Sequence, residues 1–262
     1  MAKKMPTEIP FDVKLMNMTA SALFVLAALS VLVAMGLWAV RHSLFAIGSV
    51  SVHGDTEHNN VVTLRANTLP KLKGNFFTTD LAQAREVFES APWVRKALVQ
   101  REFPNRLRVH LQEHRAAALW GAEGEARLVN TYGEVFDANP GDVDDNGLPR
   151  LVGPEGQSVL MLQMFSALAP EVQKLGRSMT TLALSARGGW RAELNSGAEI
   201  ELGRGDVAEV SQRVQRLAGT LQQVLGQYGR ELESVDLRHH QGYAVRLRGV
   251  TTETLIPKTP SN

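Results

Sequence analysis

The hydrophobic pattern separates the chain into one long apolar segment near its start and many short alternating segments after it. Residues 15–40 contain no Asp, Glu, Lys, Arg or His, and the central part, Thr19–Val40, has 22 residues. As an α-helix this part would measure about 33 Å, enough to cross a hydrocarbon core of about 30 Å. Leu29 lies near its middle, and Trp38 lies near one end, where amphipathic rings prefer the headgroup level. We therefore predict one transmembrane helix over residues 15–40.

Two other kinds of segment share this composition. A cleaved signal peptide usually has an apolar region of about 7–15 residues before a small-x-small cleavage site, but this segment is longer and residues 40–45 form a poor site. A buried helix of a soluble protein rarely lacks every charge over such a length. Both alternatives stay open beside the favoured transmembrane helix.

The flanking charges predict the orientation of the segment. Lys3, Lys4 and Lys14 precede it, whereas Arg41 alone follows it closely. Because positively charged flanks remain in the cytoplasm, residues 1–14 are predicted to form a disordered cytoplasmic tail. The rest of the chain would lie on the far side of the membrane.

Residues 45–115 show the element order strand, helix, helix, strand, strand. Asp80 is a predicted helix N-cap, and Pro92 follows the end of that helix. In the last strand apolar and polar residues alternate, which is typical of an antiparallel strand with one solvent-exposed face. The predicted elements are residues 45–54, 60–69, 80–91, 94–101 and 106–114.

Residues 116–249 show mostly short strands separated by glycine-containing turns, which predicts a mainly antiparallel β domain. Two helices interrupt the strands: residues 156–168, ending before Pro170, and residues 206–225, with one apolar face. The fold class is therefore α+β, and the Thr- and Pro-rich residues 250–262 are predicted to be disordered. The predicted strands are residues 127–130, 133–136, 179–184, 190–194, 199–202, 232–237 and 243–247.

The charge balance and the absence of cysteine limit the function. Residues 41–262 carry 25 basic and 25 acidic side chains, and the chain has no cysteine. A neutral region argues against non-specific nucleic-acid binding, which depends on clustered cations. Without cysteine there is no disulfide, thiolate nucleophile or cysteine-based metal site.

Several short patterns resemble catalytic or ligand-binding motifs but are incomplete. Residues 142–147 match the opening of an EF-hand loop, but Gly153 stands where a bidentate carboxylate is needed. Residues 202–208 resemble a dinucleotide fingerprint, but the preceding strand alternates, unlike a buried parallel strand. His110 and His114 would lie about 13 Å apart on one strand, too far to share a metal ion. We predict no catalytic residue, no metal site and no cofactor.

A longer series of motifs carries a resemblance to a known family. Residues 91–120 contain P-W-V-x-x-A-x-V-x-R-x-F-P-x-x-L-x-V-x-L-x-E, followed by A-x-W. This series resembles the FtsQ/DivIB family of bacterial cell-division proteins, with an FtsQ-type POTRA domain at residues 45–115. Further matches are Gly133-x-x-Phe136, Leu148-Pro-x-Leu-x-Gly153-Pro154, Trp190-x-x-x-Leu194, Leu202-Gly-Arg-Gly-Asp206 and Val235-Asp-Leu-Arg238.

The resemblance implies a non-catalytic scaffold of the divisome in the bacterial inner membrane. Its N-terminus would be cytoplasmic and its folded region periplasmic, at the division septum. Such a protein links early and late division proteins and controls septal peptidoglycan synthesis. The resemblance also implies that FtsB and FtsL bind the edge of the C-terminal strand, and that FtsK or other divisome proteins bind the POTRA domain.

The same resemblance assigns the partner-binding segment to residues 238–247. Arg238 would pair with a partner carboxylate, and Gly242 would allow a turn or a close backbone approach. Alternate residues of the strand would point to opposite faces, with Tyr243, Val245 and Leu247 on one and Ala244 and Arg246 on the other. The implied contact residues are Arg238, His239, Gly242, Tyr243, Ala244, Val245, Arg246 and Leu247.

The chain departs from the family pattern at four positions, and other functions stay open. His239 stands in place of a tyrosine, Leu247 of an aromatic residue, Ala116 of a proline and Asn130 of an aspartate. An ordinary C-terminal strand would also explain the alternation. A POTRA adaptor in protein translocation or outer-membrane assembly, and a membrane-anchored periplasmic enzyme, are the alternative functions. The adaptor would usually carry a C-terminal barrel of alternating strands, whereas two soluble-type helices interrupt this region.

Overall fold

The computed structural model describes residues 11–42, 45–124, 127–143, 147–239 and 242–249, and the structural statements below concern these residues. They form two compact units that divide between Gln112 and Glu113. Each unit has its own hydrophobic core. The predicted tail over residues 250–262 lies outside the described residues.

The first helix, α1, runs from Phe11 to Arg41. It begins before the predicted span, so residues 11–14 are helical and do not belong to a disordered tail. Pro10 immediately precedes the helix and no further Gly or Pro occurs before Gly36, so the sequence contains no signal that would delay the start. Residues 1–10 lie outside the described part. Among the described helices, α1 is the one long and apolar enough to cross a membrane, and its apolar part is not buried by the protein.

The residues predicted to mark the span lie along α1. Leu29 is 56% exposed, so the described protein does not bury its side chain. The hydroxyl of Thr19 donates to the carbonyls of Leu15 and Met16, so this polar group is satisfied within the helix. The Trp38 ring lies edge-on to His42. Val40 is helical, but its side chain is outside the described atoms.

The rest of the first unit confirms the predicted order of strand, helix, helix, strand, strand. Asn60 and Asp80 cap the two helices by accepting backbone N–H groups. The strand order is β1-β3-β2, with β1 parallel to β3, and helix residues such as Phe88 pack on buried strand residues such as Leu107. The elements are β1 (Ser49–Gly54), α2 (Val61–Thr68), α3 (Leu81–Glu89), β2 (Val94–Glu102) and β3 (Arg106–Glu113).

The second unit is a nine-stranded sheet with two helices. Five of its eight strand pairs are antiparallel, which confirms the predicted mainly antiparallel domain. The strand order is β12-β11-β10-β9-β8-β7-β4-β5-β6. The elements are β4 (Ala116–Trp120), β5 (Arg127–Asn130), β6 (Val135–Asp137), β7 (Arg150–Val152), α4 (Ser158–Gln173), β8 (Met179–Leu184), β9 (Trp190–Leu194), β10 (Glu199–Gly203), α5 (Val207–Tyr228), β11 (Leu232–Asp236) and β12 (Ala244–Leu247).

Both helices of this unit connect parallel strands. α4 joins β7 to β8, and α5 joins β10 to β11. The two helices pack against each other, and the predicted apolar face of α5 is buried through Val210, Val214, Leu217 and Leu221. These crossovers bring β11, and with it the last strand β12, to one end of the sheet.

Three predictions about this unit were wrong. α4 does not end before Pro170, because Leu168 and Val172 on either side of it are buried and hold the helix in place. β10 is parallel to β11 although its side chains alternate, since only one of its faces lies against the helices. β4 and β7 were not predicted, because they have only five and three residues, too few to show a clear alternation.

Candidate partner-binding site

The C-terminal strand β12 lies at one edge of the nine-stranded sheet. β11 is its one neighbour among the described strands, with Val245 opposite Val235 and Ala244 opposite Asp236. An edge strand has one row of backbone N–H and C=O groups without a strand partner, which is a template for pairing with another chain. The geometry therefore allows an extended peptide to add a tenth strand beside β12.

The side chains of β12 alternate between the two faces of the sheet, as the sequence pattern predicts. Leu247 is 8% exposed and belongs to the core, against which Val245 and Tyr243 also pack. The Tyr243 hydroxyl is 2.5 Å from the Thr220 hydroxyl on α5. Ala244 and Arg246 lie on the exposed face. One face of the strand is thus fixed to the domain, and its outer edge pairs with no other strand among the described residues.

Arg238 lies just beyond the end of β11 and forms an ion pair within its own chain. Its Nη2 donates to Asp236 Oδ2 at 2.6 Å, and its Nε and backbone N–H donate to the same carboxylate. These hydrogen bonds, together with smaller contributions from the charges of Arg238 and His239, lower the pKa of Asp236 to about 2 against the opposing effect of burial. The pair holds the guanidinium in one orientation, with 63% of the Arg238 side chain still exposed.

Gly242 has no conformational need for glycine in this structure. Its backbone does not adopt a positive φ, and a Cβ added to it would meet no described atom within 4 Å. The residues immediately before it, His240 and Gln241, lie outside the described part. The fold itself therefore gives no reason to exclude a side chain at position 242.

A cationic groove with a volume of about 630 Å³ lies beside Arg238. Arg187, Arg204 and His239 line it together with Arg238, and all four residues are solvent-exposed. Glu201 and Glu209 also line the groove, but their carboxylates pair with Arg191 and Arg213. Arg187 and Arg204 were not predicted from the sequence, because only the fold brings the β8–β9 turn and the β10–α5 loop next to residue 238.

The segment that resembles a dinucleotide fingerprint has a structural explanation. Gly203 and Gly205 have positive φ values of 80° and 144°, which other residues rarely adopt. The Asp206 side chain caps α5 by accepting the Glu209 N–H at 2.9 Å. Arg213 donates to two carbonyls of this loop and holds it on the helix. The glycines thus shape the loop that leads into α5, and the Glu209 N–H in the first turn of that helix already has a protein acceptor.

The remaining candidate motifs do not form a site among the described residues. No group of three or more metal-ligating side chains occurs in that part of the chain. Residues 144–146 of the EF-hand-like loop are outside it, and residues 140–142 form a short 3₁₀ turn. His114 stacks on Phe136 and contacts the amide of buried Asn130, so it has a role in packing.

Two family models match the chain in succession. The description "POTRA domain, FtsQ-type" matches residues 45–114, and "Cell division protein FtsQ/DivIB, C-terminal" matches residues 118–238. The chain belongs to the FtsQ/DivIB family. In this member of the FtsQ/DivIB family the second match ends at Arg238, so the edge strand β12 follows the matched range.

Relatives similar over nearly the whole length support the same assignment. The chain is 44% identical to the cell division protein FtsQ of Thiomonas arsenitoxydans over 252 residues, covering 95% of this chain and 93% of the relative. It is 37% identical to the FtsQ of Burkholderia pseudomallei, covering 91% and 94%, and 35% identical to that of Bordetella pertussis, covering 92% and 94%. The role of this FtsQ/DivIB family member is therefore in cell division.

Proposed function

We propose that this protein is a non-catalytic scaffold of the divisome, held in the bacterial inner membrane by α1. The N-terminus is cytoplasmic, and the two folded units are periplasmic at the division septum. The exposed apolar length of α1, the excess of lysine before it and the family assignment support this topology. In this position the protein links early and late division proteins and controls septal peptidoglycan synthesis.

The proposed partners are FtsB and FtsL, bound at the edge of β12. The observation that carries this proposal is the open edge of a strand whose other edge and inner face are held by the domain. An extended segment of the partner would pair with the β12 backbone, which is β-augmentation. Such pairing also explains Gly242, because a bare backbone at the start of the strand lets another chain approach closely.

The cationic groove specifies the charge of the segment that continues beyond the added strand. Arg187, Arg204 and the exposed part of Arg238 present guanidinium groups to it. Carboxylates pair with guanidinium groups through short charge-assisted hydrogen bonds. We therefore expect acidic residues in the partner next to the segment that pairs with β12, and Asp236 would hold Arg238 in position to meet them.

A proline substitution tests the edge pairing. In the full-length chain, Val245→Pro removes one backbone donor from β12, and we expect binding of a purified FtsB–FtsL complex to weaken at least about tenfold, or about 1.4 kcal/mol. Val135→Pro, in β6 at the opposite edge of the same sheet, is the matched control and should leave binding unchanged. Thermal melts establish that each variant is folded. Unchanged binding by a folded Val245→Pro variant overturns the proposed edge.

A charge reversal tests the groove independently, without changing the backbone. Arg187 and Arg204 are exposed, so Arg187→Glu and Arg204→Glu should leave the melting temperature unchanged. Both should weaken binding of the same complex, and the loss should shrink as salt concentration rises, because screening reduces interactions between exposed charges. Binding that is insensitive to both reversals contradicts the acidic-segment proposal, whatever happens to Val245→Pro.

The POTRA domain is the proposed site for a second group of partners, which includes FtsK. The order β1-β3-β2 places β2 at an edge, and Leu98 on this strand is 57% exposed. Leu98→Glu should then weaken recruitment of FtsK without affecting the FtsB–FtsL complex. Recovery of FtsK with the full-length Leu98→Glu variant at the wild-type level would contradict this assignment.

A further inference from the structure

Four phenylalanines form a cluster at one end of the first unit, which we call the aromatic cluster: Phe45, Phe76, Phe77 and Phe103. The ring centroids of Phe45 and Phe77 are 4.9 Å apart, those of Phe76 and Phe77 5.2 Å, and those of Phe76 and Phe103 6.2 Å. All three pairs meet edge to face, an arrangement that aromatic rings favour. Three separate segments therefore converge on one apolar patch.

The aromatic cluster is only partly buried. Phe76 is 7% exposed, but Phe77 is 48% exposed and Phe103 is 75% exposed. Single exposed apolar side chains are normal on protein surfaces, but two large rings on one patch with a buried aromatic base are a sign of an interaction site.

Hydrogen bonds join the aromatic cluster directly to the end of α1. The Phe45 N–H donates to the carbonyl of His42 at 3.0 Å, immediately after the helix ends at Arg41. The Phe76 N–H donates in turn to the Phe45 carbonyl at 2.8 Å. These two hydrogen bonds connect the aromatic cluster to His42, the residue that directly follows the last residue of α1.

The loop that carries Phe76 and Phe77 is held rigidly. Arg101 Nε donates to the Phe76 carbonyl at 2.7 Å, and its Nη2 donates to the Thr79 carbonyl at 2.6 Å. The turn that carries Phe103 is tied to the start of the unit, since the Gly48 N–H donates to the Asn105 carbonyl at 2.9 Å. The two exposed rings are thus presented by fixed backbone and not by long loops.

We propose that the aromatic cluster is a membrane-docking site, with Phe77 and Phe103 inserted at the headgroup–acyl boundary of the membrane that α1 crosses. The headgroup layer on each side of a bilayer is about 5–7 Å thick, comparable with the ring-to-ring distances of this patch. Phenylalanine is among the side chains that interfacial protein segments bury at this boundary, to a depth of about 5–10 Å. The aromatic cluster would contact the lipid surface and not a protein, because hydrogen bonds within the chain hold it next to the end of α1. This inference rests on the proposed membrane span.

Site-directed spin labelling of the full-length chain tests the docking site. The chain has no cysteine, so one substitution gives one nitroxide label. Phe103→Cys reports on the aromatic cluster, Leu29→Cys on the middle of the proposed span, and Leu98→Cys on an apolar side chain of the same unit, 57% exposed but outside the aromatic cluster. The labelled chains are reconstituted into phosphatidylethanolamine–phosphatidylglycerol vesicles. We then measure how often each label collides with oxygen, which enters lipid, and with a nickel chelate, which stays in water.

The label at position 103 should collide with the nickel chelate several-fold less often than the label at position 98, while remaining accessible to oxygen. Equal nickel accessibility at positions 103 and 98 overturns the docking site. Shielding of position 103 from both reagents also overturns it, because a protein surface would then cover the patch. A label at position 29 exposed to nickel would show that the span itself is wrong, and the docking site would fail with it.

A second pair of variants tests whether the neighbouring ring contributes to docking. With the label at position 103, where the Phe103 ring is already replaced, Phe77→Ser should raise nickel accessibility several-fold, because it removes the remaining inserted aromatic ring. Val62→Ser removes an apolar side chain that is 72% exposed elsewhere in the same unit and should change nothing. Equal effects of the two substitutions would contradict a specific aromatic site.

Discussion

The ion pair between Asp236 and Arg238 gives a pH-dependent contribution to stability that can be measured. The substitution Asp236→Asn keeps the side-chain size and an oxygen that can still accept the Arg238 N–H, but it removes the charge. Pairing lowers the pKa of Asp236 from 3.8 to about 2, so the ionised carboxylate favours the folded state. This contribution is complete above the unfolded pKa and is lost as the pH falls towards 2.

The size of the effect follows from the shift and from solvent exposure. One pKa unit corresponds to about 1.4 kcal/mol, so the shift from 3.8 to about 2 sets an upper limit of about 2.5 kcal/mol. The Asp236 side chain is 24% exposed and the Arg238 side chain 63% exposed, so solvent screening reduces the contribution. We expect Asp236→Asn to lower the free energy of unfolding by about 1 kcal/mol at pH 6.

Urea unfolding of the full-length chain in non-ionic detergent, followed by tryptophan emission, measures the difference in the free energy of unfolding between wild type and Asp236→Asn. The measurement is repeated at pH values from 6 to 2. The stability of wild type and Asp236→Asn should converge as the pH approaches 2. In an Arg238→Gln background, Asp236→Asn should lose most of its effect, which completes a double-mutant cycle. A difference that stays constant over this pH range, or that persists without Arg238, refutes the assigned ion pair.

Three further substitutions test the packing that positions β12. Asp206→Ala should lower the free energy of unfolding by about 1 kcal/mol through loss of the α5 cap, whereas Asp206→Asn should preserve it; equal losses in urea unfolding would contradict the cap. Leu217→Ala, at a fully buried position of α5, should cost about 2–5 kcal/mol, and a loss below about 1 kcal/mol would show that this face is not core. Pro170→Ala should raise the melting temperature, because it restores a backbone donor at an exposed position inside α4; a lower melting temperature would refute that reasoning.

The elements that the sequence predicted well are those whose signals are local. The cap Asp80 and the apolar stripe of α5 depend only on neighbouring residues, and β8 and β9 have the predicted bounds. A proline signal proved weaker than packing at Pro170, because buried neighbours outweigh one missing hydrogen bond. Strand partners also required the fold, since β10 and β11 pair across a helix of 22 residues.

In the candidate site, too, some features were predictable from neighbouring residues and others depended on the fold. The alternation of β12 was predicted from its own residues, and Arg238 was identified from the motif that contains it. The ion pair with Asp236 follows from a spacing of two residues, but its geometry depends on how the chain leaves β11. Arg187 and Arg204 were not predicted, because they are distant from β12 in sequence and meet Arg238 only after the sheet has formed.

Hydrogen exchange of the full-length chain with and without the FtsB–FtsL complex tests the proposed pairing at β12. Slowed backbone exchange on binding should be concentrated at residues 242–247, while exchange in β6 at the opposite edge should be unchanged. Binding that leaves residues 242–247 as fast to exchange as in the free chain would contradict β-augmentation at β12.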